Sequence, residues 1–214
     1  MIVFSHIEVG NYYYHTTAKS KEDSFRLIWG AFVFGNVFPD ISKFASRKHF
    51  YEETRSIYKC FLMKALNPAG GDWERSMASG VVCHFLCDYF CKYHAKTPYT
   101  QKSMILHTLY EMVLHVKIKN ILLKKSLGLL SMGEQSVFRR AAEYSGADLR
   151  GAEISFDLLR MIREYEGEDE SLLTDMAFSF KAVRSVMKEI LSAKKAVSIE
   201  MTSDERSFTY RATA

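Results

Sequence analysis

Only 3 prolines occur in 214 residues, and no run of strict apolar–polar alternation reaches a strand's length, so little in this chain breaks helices and nothing builds a sheet. Long apolar runs are missing as well. No window offers the roughly 18 uninterrupted apolar residues of a membrane span, and the opening MIVFSHIEVG has neither the charged start nor the long apolar stretch of a secretory signal. The cytoplasm is therefore the expected compartment, with no transmembrane segment. No repeat of roughly 20–50 residues and no low-complexity tract is present. Charge of one sign is not in excess either. The 29 basic and 25 acidic residues are interspersed, and a net +4 permits an anionic substrate without indicating a stable nucleic-acid partner. Four cysteines, at 60, 83, 87 and 91, do not make a secreted disulfide framework. The last three recur every four residues, line one helical stripe and read as buried packing thiols.

What remains is 48% hydrophobic and 14% aromatic, enough for one sizeable core, and the apolar spacing is helical throughout. The fold class is all-α, a single-domain helical bundle. Helices are expected over 22–34, 46–66, 73–94, 101–125, 134–145, 148–165 and 170–194. Gly35, Asn36 and Pro39 mark a break that puts Asp40 just beyond a helix end, and Ser131 is placed to cap a helix. The domain spans 1–196, and the stretch 197–214 has no helical period and reads as a loosely ordered tail.

Within this apolar background the segment HFLCDYFCKYH, residues 84–94, carries polar groups that need a reason. His84 and Asp88 are four apart, so on a helix they project from one face and can share a metal ion. His107 and Glu111 repeat that spacing on the next helix, and His94 lies between the pairs. Two helices with a short connection are expected as antiparallel neighbours, which brings both pairs to one pocket. Burying Asp88 and Glu111 on faces rich in Phe, Leu and Met costs several kcal/mol unless a cation or hydrogen bonds compensate. Histidine with carboxylate suits zinc better than calcium or magnesium. Asp40 and His49 would add a carboxylate and an imidazole from an upstream segment. His6 and His15 sit near the start, and His115, by the basic helix end HVKIKN, reads as a capping or surface residue.

The order His6, Asp40, His49, His84-x3-Asp88, x5, His94, then His107-x3-Glu111 resembles the zinc-dependent phospholipase C family, all-α enzymes that share a trinuclear zinc site with the fungal single-strand-specific nucleases. The Pro-Asp turn in GNVFPDIS resembles that family too. The resemblance implies two to three Zn2+ ions. Asp40, His49, His84 and Asp88 would hold one; His94, His107 and Glu111 a second; Asp88 would bridge to a third, bound by His6 with the first residue's amine and carbonyl. His15 is the alternative to His6. It also implies a phosphodiester hydrolase acting on a phospholipid head group or related substrate, with Asp40 as general base or as ligand alone. Two other readings keep the same residues: a single-strand nuclease whose aromatics Tyr12, Tyr13, Tyr14, Phe50 and Tyr51 stack bases, and a non-catalytic protein in which zinc only holds helices together.

Overall fold

The computed structural model describes residues 3–17, 26–42, 50–95, 101–143 and 152–193. Among these the chain is all-α, with nine helices and no strand. They are α1 (Val3–Thr17), α2 (Trp29–Ile41), α3 (Tyr51–Leu66), α4 (Asp72–Tyr89), α5 (Lys92–Ala95), α6 (Gln101–Ser126), α7 (Met132–Glu143), α8 (Ala152–Glu166) and α9 (Leu172–Ser192). His49, the stretch 144–151 joining α7 to α8 and the tail from 194 lie outside the described residues.

α4 is the axis of the bundle. From Arg75 to Tyr89 nearly every residue is buried, because α1, α2, α3 and α9 all pack around it. A helix surrounded on all sides has no polar face to keep, which is why its sequence reads apolar all round. α9 is the second organiser. It lies against α4 and α1 on one side and α7 and α8 on the other, burying Met176, Phe180, Val183, Met187 and Ile190. Buried Arg75 ties three helices: its Nε donates to the Ala65 carbonyl of α3 at 3.1 Å and its Nη2 to the Ile190 carbonyl of α9 at 3.3 Å.

α2 meets α4 backbone to backbone. A Cβ on Gly35 would fall on the carbonyl oxygen of Met77, and one on Gly80 on that of Phe32. The turn formers that suggested a break at 35–39 are thus helix residues used for close approach. Asn36 donates its Nδ2 to the Phe32 carbonyl at 3.0 Å, and α2 continues through buried Pro39 until Ser42 N–H closes the last turn on Phe38 O at 3.1 Å. Asp40 therefore sits in a final helical turn and not beyond one.

Three other expectations are corrected. The segment expected as one helix over 73–94 divides at Phe90–Cys91, and His94 belongs to the separate turn α5. The Lys92 N–H is drawn off to Asp175 Oδ2 of α9 at 3.1 Å, a tertiary bond that local periodicity does not report. α6 packs chiefly on α1 and α9 and not along α4. Its buried side carries Leu114, Ile118 and Ile121 while Leu109, Met112, Val116 and Leu123 lie exposed on the other, so its apolar pattern gives no burial direction. α1 was not expected at all, since VFSHIEVGNYYYHTT is rich in β-branched and aromatic residues and poor in helical signal. The connection from α6 to α7 follows its sequence. Gly128 takes the positive φ of 73° after α6, and Ser131 and Glu134 form a reciprocal capping box, with Ser131 N–H donating to Glu134 Oε2 at 3.0 Å and Glu134 N–H to Ser131 Oγ at 3.4 Å.

Gly80→Ala should therefore lower unfolding stability by roughly 3 kcal/mol or more, since backbone on both sides blocks relaxation. Gly30→Ala, on the open side of α2, should raise it by up to about 1 kcal/mol. Urea unfolding of the two variants measures the contrast, and equal effects would refute the close crossing.

Candidate metal centre

Five helices contribute to one buried polar cluster. α4 supplies His84 and Asp88, both at most 1% exposed. Their i, i+4 spacing brings His84 Nε2 to 3.1 Å from Asp88 Oδ2. From α1, fully buried His6 sets Nε2 at 3.2 Å from Asp88 Oδ1 and Nδ1 at 2.9 Å from His84 Nδ1. From α2, Asp40 places Oδ1 at 3.7 Å from His84 Nε2, with its side chain 37% exposed at the rim. α5 and α6 form the other half. His107 Nε2 lies at 2.7 Å and His94 Nε2 at 3.4 Å from the same oxygen, Glu111 Oε1. His94 Nε2 is also 3.7 Å from Asp88 Oδ1, so Asp88 is where the two halves meet.

His15 is exposed further along α1 and takes no part, so of the two N-terminal histidines the fold brings His6 to the cluster. His115 pairs instead with Ser5 Oγ at 3.2 Å, a contact between α6 and α1. Cys91 is a residue that the spacing argument set aside. Its Sγ groups with donor atoms of His94, His107 and Glu111, all within 4.8 Å of one another, as donor atoms of His6, His84 and Asp88 do in a second group. The signal that could have found it is the Cys-x2-His spacing of Cys91 and His94, which the four-residue stripe of cysteines masked.

The electrostatics favour a cation. Burial pushes His6 down to about 3 and His94 down to about 4, so both imidazoles are neutral at pH 7. Burial alone would raise Asp88 and Glu111, but the charge of the N-terminal amine, with the histidines that face Asp88 and hydrogen bonds from His107 and His94 to Glu111, outweighs it and holds both carboxyls well below the usual range. With His6 and His94 neutral, ionised Asp88 and Glu111 leave negative charge in a buried place. Burial pushes the Cys91 thiol up to about 12.

His84 provides the test of whether a metal fits. Its Nδ1 lies 2.9 Å from the Asn36 carbonyl, which can only accept, so Nδ1 carries the proton. With Nδ1 so committed, Nε2 is the ring atom that faces oxygens of Asp88 and Asp40. Two carboxylates converging on one ring nitrogen call for a positive particle between them, a proton or a metal ion, and a ring held by a backbone carbonyl at Nδ1 is how a metal-ligating histidine is usually oriented. His6 Nε2, fully buried and 3.2 Å from Asp88 Oδ1 without the geometry of a hydrogen bond, is a second ring nitrogen directed at the same carboxylate. The residues fit a cation of zinc's preference.

Asp175 of α9 holds the second half in register. Its Oδ2 accepts from the Lys92 backbone N–H at 3.1 Å and from Tyr110 Oη at 2.7 Å; its Oδ1 accepts from Tyr165 Oη at 2.7 Å. α5, which carries His94, and α6, which carries Glu111, thus share one anchor. Burial still leaves Asp175 above the usual carboxylate range despite three donors. Beside His94 a cavity of about 250 Å³ opens, lined by Phe50, Tyr51, Tyr89, Leu159 and Ile162, with Glu52, Arg163 and Glu166 around it.

An all-α bundle that gathers imidazoles and carboxylates from separate helices around one shared aspartate belongs to the class of multi-ligand metal sites built inside helical bundles. The chain matches the model of the zinc dependent phospholipase C family over residues 5–161, a span that includes both halves of the cluster, and it belongs to that family. No curated protein and no solved structure matches it. α9 with Asp175 lies beyond the matched span.

Two outcomes follow. A buried histidine whose pKa is lowered leaves the unfolded chain to take the proton first, so stability is intact above about pH 6.5 and falls as pH drops towards about 4 for His94 and 3 for His6. Metal-free protein should show a melting temperature that declines over that window, less steeply in His94→Gln; a flat profile from pH 7 to 4 would contradict the burial. Asp175→Ala strips the shared acceptor from two phenols and an N–H, and should cost about 2 kcal/mol or more in urea unfolding while weakening metal retention.

Proposed function

We propose that this chain hydrolyses a phosphodiester bond of a phospholipid head group, with two to three zinc ions held by His6, Asp40, His49, His84, Asp88, His94, His107 and Glu111. The observation that carries this reading is the position of Asp88, within 3.1–3.7 Å of His6, His84 and His94, where one carboxylate can serve two ions at once. Bound zinc supplies a water of lowered pKa and positive charge for the phosphate oxygens.

The protein's own groups supply the rest. Asn36 fixes the His84 ring through its carbonyl and so aims Nε2 inward. Asp40, at 37% the most exposed side chain of the cluster, stands at the rim and would take the proton of the attacking water. The cavity beside His94 is where a head group would enter: half-buried Tyr51 offers ring surface, and Arg163, which shares the lining with Glu52 and Glu166, offers a positive charge to the phosphodiester. Its volume of about 250 Å³ suits one small head group better than a run of stacked bases. Of the aromatics that could have stacked bases, Tyr13 is buried in the core and Tyr12 packs on Phe138 and Phe180, while Phe50 and Tyr51 line the cavity, too few for a run of bases. Among the described residues no helix is long and apolar enough to cross a membrane. Cys60, Cys83, Cys87 and Cys91 are all free thiols, which supports a reducing, cytoplasmic setting.

Protein purified without chelator should contain two to three zinc ions per chain by elemental analysis and hydrolyse micellar phospholipids, with activity abolished by chelator and restored by zinc. Asp88→Asn should remove at least one equivalent of metal. Asp40→Asn should lower kcat by roughly 100-fold or more while retaining most of the metal, and His15→Gln should change neither. Fully loaded protein inert towards phospholipids but active on single-stranded DNA would favour the nuclease; inert towards both, the structural role.

A further inference from the structure

We infer that Cys91 is a fourth protein ligand of the ion held by His94, His107 and Glu111. This rests on the metal reading above and deepens it. The Cys91 sulfur and one donor atom from each of the other three lie within 4.8 Å of one another. Ligand atoms of a tetrahedral zinc with bonds of about 2.0–2.3 Å sit about 3.5 Å apart, so closing the shell needs contraction of about an ångström. Cys91 stands in the turn between α4 and α5, the one place where the long helix gives way, and the break turns Cys91 and His94 towards the same side.

The backbone of that turn supports a coordinated sulfur. The His94 N–H donates to the Cys91 carbonyl at 2.8 Å, which holds the two residues in one tight turn and fixes the direction of each side chain, as outer hydrogen bonds do for metal ligands generally. On binding, the thiol proton leaves to solvent and a sulfur–metal bond takes its place, with no change of oxidation state. The neighbouring cysteines are arranged differently. Cys83 Sγ donates to the His6 carbonyl at 3.5 Å, and neither Cys83 nor Cys87 joins a metal-capable group among the described residues.

A shell of one thiolate, two imidazoles and one carboxylate has four protein ligands and no open position for water. The two ions would then differ in task. The one at Glu111 is held tightly by a soft donor and keeps α5 and α6 together, while water is activated at the ion on the His84 and Asp40 side.

Cobalt titration of the zinc-stripped full-length chain tests this without reference to turnover. Wild type should develop a thiolate-to-cobalt charge-transfer band in the near ultraviolet in step with cobalt uptake. The band should vanish in Cys91→Ser and persist in Cys83→Ala. The most tightly held zinc should leave to chelator at least about 10-fold faster from Cys91→Ser. Cobalt bound without the band, or a band kept by Cys91→Ser, overturns the Cys91 assignment and leaves the metal centre standing; no cobalt bound overturns both. Should Cys91→Ser not fold, X-ray absorption of the wild-type zinc protein decides, a sulfur at about 2.3 Å supporting the assignment and an all-nitrogen and oxygen shell refuting it.

Discussion

A carboxylate at the centre of a helical bundle must be met by positive charge or by donors, and Asp88 sets that requirement for the whole molecule. It is 1% exposed, on the helix that every inner neighbour packs against. His6 from α1, His84 one turn back on α4 and His94 from α5 all face it. None of these rings can stand where it does without the helix behind it. The packing of α1 and the turn into α5 are therefore read most directly as consequences of answering Asp88.

The contact of α2 with α4 serves the same end by different means. Two glycines let the backbones touch, and only that closeness brings the Asn36 carbonyl within 2.9 Å of His84 Nδ1. The carbonyl holds Nδ1, and with Nδ1 held the ring aims Nε2 at two carboxylates. A side chain no larger than a methyl at position 80 would thus act on the chemistry of a ring one turn away. On the opposite side Asp175 does for α5 and α6 what the glycines do for α2, with hydrogen bonds in place of close packing.

The parts of this arrangement legible in the sequence are those fixed by helical spacing. His84 with Asp88 and His107 with Glu111 are pairs that any helix would make, and the all-α class follows from the same periodicity. Contacts between elements were not legible. Gly35, Asn36 and Pro39 carry the composition of a turn, yet two of them serve a helix crossing that only tertiary packing reveals. The division of 73–94 at Phe90 depends on a carboxylate over 80 residues later in the chain. The placement of α6 against α1 and α9 escaped because that helix is apolar on both sides. His6 and Asp40 could be tied to the cluster only through family resemblance, since no local spacing connects them to α4; His49 rests on that resemblance still.

Cysteine illustrates how much of a side chain's surroundings a local reading leaves unsaid. Cys83, Cys87 and Cys91 do line a stripe and are all buried, as four-residue spacing implies. The stripe ends where the helix ends, however, and Cys91 is the member that lies past Tyr89. There the chain turns, the side chain leaves the packing face, and the sulfur meets His94, His107 and Glu111. Chemical identity was equal along the stripe; what sets Cys91 beside a histidine–carboxylate group and leaves Cys83 and Cys87 in the packing is one turn of backbone. A buried thiol beside a histidine–carboxylate set is then to be judged by where its helix stops, because that point decides whether the sulfur faces apolar neighbours or shares a cation with them.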